Sequence, residues 1–166
     1  MLLVNVDEAE ITEAASGLIE AIKSTKNLSC RTLRNTLYKH EYKQDHNSIV
    51  NYDAGFIENT VKHFLDLMES PNNPLNSKAL ERTAAACTRI LIINQLFLAD
   101  NDVIELGWLE REYYASSKTK WDGSLFKVDD RRISPGFIEF SGGANDATAV
   151  EKERRDIIKL YSMMFD

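Results

Sequence analysis

The apolar residues of this chain keep a helical period up to about residue 99 and then abandon it. Beyond Asp100, Asn101 and Asp102, the segment Val103 to Glu110 sets Ile104, Leu106 and Trp108 on one side and Val103, Glu105, Gly107 and Leu109 on the other. Alternation by two is the signature of a strand, because successive side chains leave opposite faces of a pleated backbone. Two further short strands are predicted at Trp121 to Val128 and Gly136 to Phe140, joined by the charged turn Asp129, Asp130, Arg131, Arg132. Helical spacing returns from about Thr148, with Val150, Ile157, Tyr161 and Met164 as the expected buried stripe and Glu151, Glu153, Arg155 and Lys159 outside.

Before the switch, three stretches read as helix. Residues 7 to 25 place Ile11, Ala14, Ala15, Leu18, Ile19 and Ile22 at steps of three and four, with Asp7 as the expected cap. From Asp53 to Glu69, Phe56, Ile57, Val61, Phe64, Leu65 and Met68 repeat in the same way and end at the breaker run Ser70, Pro71, Asn72, Asn73, Pro74. A third helix is expected from Ser77, a cap with Glu81 near capping-box distance, to Ala99, the longest and most apolar of the chain. The expected organisation is α+β. A helical N-terminal region covers residues 1–75, and a helix, a three-stranded mixed or antiparallel sheet and a closing helix cover 76–166.

Charge and composition narrow the function. A chain of 166 residues that is 43% hydrophobic can bury a core, so disorder throughout is not expected. The 20 Lys and Arg against 26 Asp and Glu leave a net charge of −6, which opposes general binding to nucleic acid. Only one stretch is strongly basic: Lys23, Lys26, Arg31, Arg34, Lys39 and Lys43 stand against Glu41 alone. It is either a solvated helix face or a contact surface for an acidic partner or a phosphate. The first ten residues have no basic leader, and the apolar run 90–99 is about half of what a bilayer requires, so no membrane segment is expected. Cys30 and Cys87 stand in helical segments far apart, which points to a reducing, intracellular (cytoplasmic or nuclear) setting. His40, His46 and His63 have no matching cysteine pair, so neither a zinc cluster nor a Cys/His nucleophile is indicated.

The carboxylates of the sheet are the sharper signal. Trp121, Asp122 and Gly123 open the second strand, and Glu139 stands among apolar residues of the third. A carboxylate placed there is exposed on the far face or neutralised by a partner. If the two strands form a hairpin, Asp122 and Glu139 meet at the end remote from the turn, where a hard cation such as Mg²⁺ or Mn²⁺ would relieve their repulsion. The turn from Ser141 through Gly142 and Gly143 to Asp146 could offer free amides to an anion.

With an Asp-Gly at the second strand and an apolar-flanked Glu in the third, residues 77–166 resemble the PD-(D/E)XK nuclease superfamily in degenerate form. Phe140 to Gly143 and Asp156 to Tyr161 are also similar to fungal proteins of this general type. The resemblance implies that Asp122 and Glu139 bind the metal, that Glu81 assists from the preceding helix, and that Ser141 stands where the family has its lysine. Lys159 or Lys152 would then have to replace it. The reading implied is a non-catalytic, macromolecule-binding module for a protein or nucleic acid, with homo-oligomerisation through an open sheet edge as a further expectation. The alternative is a Mg²⁺-dependent nuclease acting on DNA or RNA.

Overall fold

The computed structural model describes residues 10–40, 47, 50–74, 76, 81–112, 119–141 and 150–163, with backbone alone at 109–112 and 163. The chain divides into two compact units, 1–69 and 70–166.

In the first unit, α1 (Glu13–Lys23), α2 (Cys30–His40) and α3 (Tyr52–Glu69) pack through Leu18, Leu37 and Leu65, with Ile22, Leu33, Ile57 and Val61 against them. The start of α1 differs from the expectation. Thr12, not Asp7, is its cap: the Thr12 hydroxyl accepts from the Ala15 amide at 3.2 Å. Asp7 lies outside the described residues. Thr12 in turn donates its amide and its hydroxyl to Asp53 of α3, at 2.6 and 2.7 Å, so one residue both caps a helix and ties it to another. Ser29 and Thr32 exchange backbone and side-chain bonds at the start of α2, a reciprocal box that closes two otherwise orphaned amides.

In the second unit, α4 (Glu81–Ala84), a π-helical turn (Ala85–Arg89) and α5 (Ile90–Leu96) run on from one another. This helix stops at Leu96 rather than Ala99, and its described part is shorter than the 18 residues of α3; Ser77 lies outside the described residues. Three strands come next, β1 (Ile104–Glu112), β2 (Lys120–Lys127) and β3 (Gly136–Ile138), in the order β1-β2-β3 and antiparallel throughout. The fold is α+β, as the change of period implies. The β2–β3 turn closes with Asp129 at φ 64°, and Arg132 clamps Asp130 across it. A shift in register between Trp108 and Arg111 bends β1. Gly123 is fixed by its neighbour: a Cβ there would stand 2.7 Å from the Trp108 ring and 3.3 Å from Ile138. Trp108 needs that gap, because its indole stacks on Phe140 and donates to Asn94 of α5 at 2.8 Å.

The closing helix α6 (Val150–Met163) faces opposite to the way its apolar spacing suggests. Val150, Ile157 and Tyr161 are 61%, 45% and 58% exposed, while Lys152, Asp156, Lys159 and Leu160 are the sheltered positions; Glu151, Glu153 and Arg155 are exposed as expected. Met164 lies outside the described residues. The helix turns its two lysines toward carboxylates of its own unit, and Val150, Ile157, Ile158 and Tyr161 are left exposed. Among the described residues, no helix is long and apolar enough to cross a membrane.

Candidate carboxylate and lysine site

The β2–β3 register pairs Gly123 with Ile138, and one step further along sets Asp122 across from Glu139. Both lie at the end of the hairpin remote from its turn. Asp122 extends the ladder with its side chain, its Oδ2 accepting from the Phe140 amide at 2.8 Å. That bond replaces a backbone acceptor where β3 ends.

Glu139 does not stand alone. Its side chain is 9% exposed, and the ammonium of Lys159 donates both to its Oε1 and to the carbonyl of Lys120. The same Lys159 Nζ lies 4.3 Å from the centre of the Trp121 ring, which itself stacks on Phe137 at 4.6 Å. A cation over an indole face is attracted by the ring's quadrupole. Burial lowers the Lys159 pKa from the ordinary lysine value, and the negative charge of Asp122 pushes back. Asp122, Glu139 and Lys159 therefore act on one another electrostatically.

Glu81 is engaged elsewhere: it forms an ion pair with Lys152. Lys152 and Lys159 are two helical turns apart, about 10 Å along the axis of α6. Two carboxylates held by separate lysines at that interval are poorly placed to share one cation. Among the described residues, no three His, Cys, Asp or Glu side chains form a group that could hold a metal ion. A metal at Asp122 and Glu139 does not fit the donors as they stand. One oxygen of Asp122 is committed to an amide, and Glu139 already has the Lys159 cation.

Ser141, expected from the resemblance to stand in place of a lysine, has a buried hydroxyl without a hydrogen-bond partner. The Trp121 indole N–H, the Ser124 hydroxyl and Asp156 Oδ2 share that condition. Sequence reasoning placed Trp121 at the opening of the second strand but missed it as part of the site; its place beside Asp122 was the available signal. The glycine turn after Ser141 lies outside the described residues, as does His46, while His40 is exposed on α2.

The basic stretch of the first unit is partly consumed. Arg34 donates to Glu69 at 3.1 Å and to Asp66 at 2.8 Å, and these bonds, Asp66 first, hold its pKa above the ordinary arginine value. Lys23 pairs with Glu20.

No protein-family model matches the chain, and no curated protein or solved structure matches it either.

Proposed function

We propose that the chain is a non-catalytic, nuclease-like module that binds another macromolecule. The observation that supports this most is the Glu139–Lys159 pair: an ammonium of the chain itself sits where the family resemblance implies a metal. A buried carboxylate needs one counter-charge, and here it has one without an ion from solution. The outer face of α6 supports binding, since Val150, Ile157, Ile158 and Tyr161 form an exposed apolar group of the kind found at protein contacts. An open-edge dimer is less well supported, because β3 is only three residues long and β1 carries an irregular register.

The test is thermal unfolding with and without millimolar Mn²⁺, together with an oligonucleotide cleavage assay. A ligand that binds the native state stabilises it by about 2.7 kcal/mol at a hundred times its Kd. The expected result is no Mn²⁺-dependent rise and no cleavage. A rise that Asp122→Ala with Glu139→Ala removes, accompanied by cleavage, would sink the non-catalytic reading.

One observation favours the second reading, metal-dependent phosphodiester hydrolysis. Lys159, with its lowered pKa, stands beside Asp122 and Glu139, as a water-orienting lysine would. For that chemistry Lys159 would have to release Glu139. A Lys159→Met variant that kept its fold and gained Mn²⁺ affinity would support it.

A further inference from the structure

The first unit carries a second feature, independent of how the carboxylate site is read. Between the end of α1 and one side of α2 lies an open cleft of about 410 Å³. Its cationic or protonatable side chains are Lys26, Lys39 and His40, and Asn35 adds an amide. Among the described residues that line it there is no carboxylate. This sets it apart from the chain as a whole, in which acidic residues outnumber basic ones.

The floor of the cleft is already built. Thr25, just past the end of α1, and Thr36 of α2 meet hydroxyl to hydroxyl at 2.9 Å. One of the two hydroxyls donates across this bridge and the other to a helix carbonyl, Thr25 to Ala21 at 2.9 Å or Thr36 to Thr32 at 3.1 Å. Both hydroxyls are therefore occupied in holding the helices at this spacing. The groups left to meet a ligand are the exposed Lys26, Asn35, Lys39 and His40, all of them donors or potential donors. The nearby cations Lys23 and Arg34 pair with acids, and neither lines the cleft.

We infer that this cleft binds the phosphate group of a small phosphorylated ligand. Two lysines and an imidazole line the cleft, with no carboxylate among its described lining residues, which matches the charge and the donor demand of a phosphate, whose oxygens only accept. Its volume lies within the range of about 300–1,000 Å³ typical of small-molecule sites. A long polyanion fits less well, because a chain of net charge −6 would repel the phosphates that extend beyond the cleft.

The experiment uses the full chain, labelled with ¹⁵N and titrated with pyrophosphate at physiological salt while amide shifts are followed. Shifts confined to residues 24–26 and 32–40 are expected. Lys26→Glu with Lys39→Glu should weaken binding at least tenfold. Arg31→Glu, which reverses a charge on the same helix outside the cleft, should leave it within threefold. Circular dichroism of each variant confirms that the helices persist, as expected for exposed positions. Asn35→Ala, which changes no charge, should weaken binding severalfold. Equal losses from Arg31→Glu and the cleft variants would reduce the effect to general electrostatics and overturn the inference. Tighter binding to a single-stranded oligonucleotide than to pyrophosphate, competed by the latter, would overturn the small-ligand assignment. No shift at millimolar pyrophosphate would overturn the site itself.

Discussion

The two units solve the problem of charge in opposite ways. The helical unit packs leucines inside, Leu18, Leu37 and Leu65, and leaves its charges at the periphery, where Arg34 meets Asp66 and Glu69 at the surface. The sheet unit draws ionisable groups inward: Lys159 against Glu139, Lys152 against Glu81, with Asp156 sheltered on the same face of α6. In the first, an apolar core supplies stability and basic side chains are left available for contact. In the second, apolar residues such as Trp121, Phe126 and Phe140 are buried as well, but the Glu139–Lys159 pair at the candidate site is itself part of the packing, so the site and local stability are altered together.

The contrast can be broken by substitution. Leu65 is 1% exposed, and Leu65→Ala should cost about 3–4 kcal/mol through lost burial and a cavity. Urea unfolding followed by circular dichroism measures it, and a loss below about 1 kcal/mol would mean that the helical unit is not held by this core. Lys159→Ala should cost about 2–3 kcal/mol. That is less than the ~3–5 kcal/mol of a fully buried pair, because the lysine side chain stays 30% exposed. Both tryptophans, Trp108 and Trp121, belong to the sheet unit, so their fluorescence reports the loss. Glu139→Gln with Lys159→Met should recover most of it, since neither charge is then left alone. If Lys159→Ala cost nothing, the pair would be incidental and the two units would not differ in kind.

A smaller effect separates by pH. Burial pushes the Asp53 carboxyl up, but the bonds from the Thr12 amide and hydroxyl and from Ala54 outweigh it and hold the pKa below the ordinary aspartate value. A depressed carboxylate contributes stability above its unfolded pKa and loses it as pH falls through the folded one. Asp53→Asn should therefore cost about 1–2 kcal/mol at pH 7, and the gap to wild type should close below the ordinary aspartate range. A gap that is constant with pH would remove the ionic contribution. The smallest change is expected for Arg31→Glu, an exposed position, at within about 0.5 kcal/mol of wild type in thermal unfolding. A larger loss would show that the basic face is structural.

The same contrast explains what was legible in the sequence. Apolar spacing found α3 to within a residue of its start, and the alternation at Ile104, Leu106 and Trp108 found β1, because in both the apolar periodicity follows the element's own geometry. The hairpin that brings Asp122 and Glu139 together was readable from the two strands and the charged turn. The face of α6 was not. Apolar spacing assumes that a helix covers an apolar surface, whereas this one shelters Lys152 and Lys159 against acids contributed by distant segments. The cap of α1 was missed for a related reason: Thr12 is held by Asp53, 41 positions away, and local spacing carries no trace of that bond.

The π-helical turn at Ala85–Arg89 has a consequence for chain length. The amide of Ile90 reaches back to the carbonyl of Ala85, one residue further than an α-helix allows, so this turn holds a surplus residue. Arg89, over the Phe140 ring, and Asn94, under the Trp108 indole, both lie at or beyond it. A deletion here should let the turn relax to ordinary α-helix with both contacts kept in phase, whereas a deletion within α5 would swing the residues beyond it by about 100°. Removing the exposed Ala86 should therefore be tolerated where removing Ile92 is not, and equal melting temperatures for the two deletions would refute it. The helix is a place where relatives of this chain could differ in length by one residue without differing in shape.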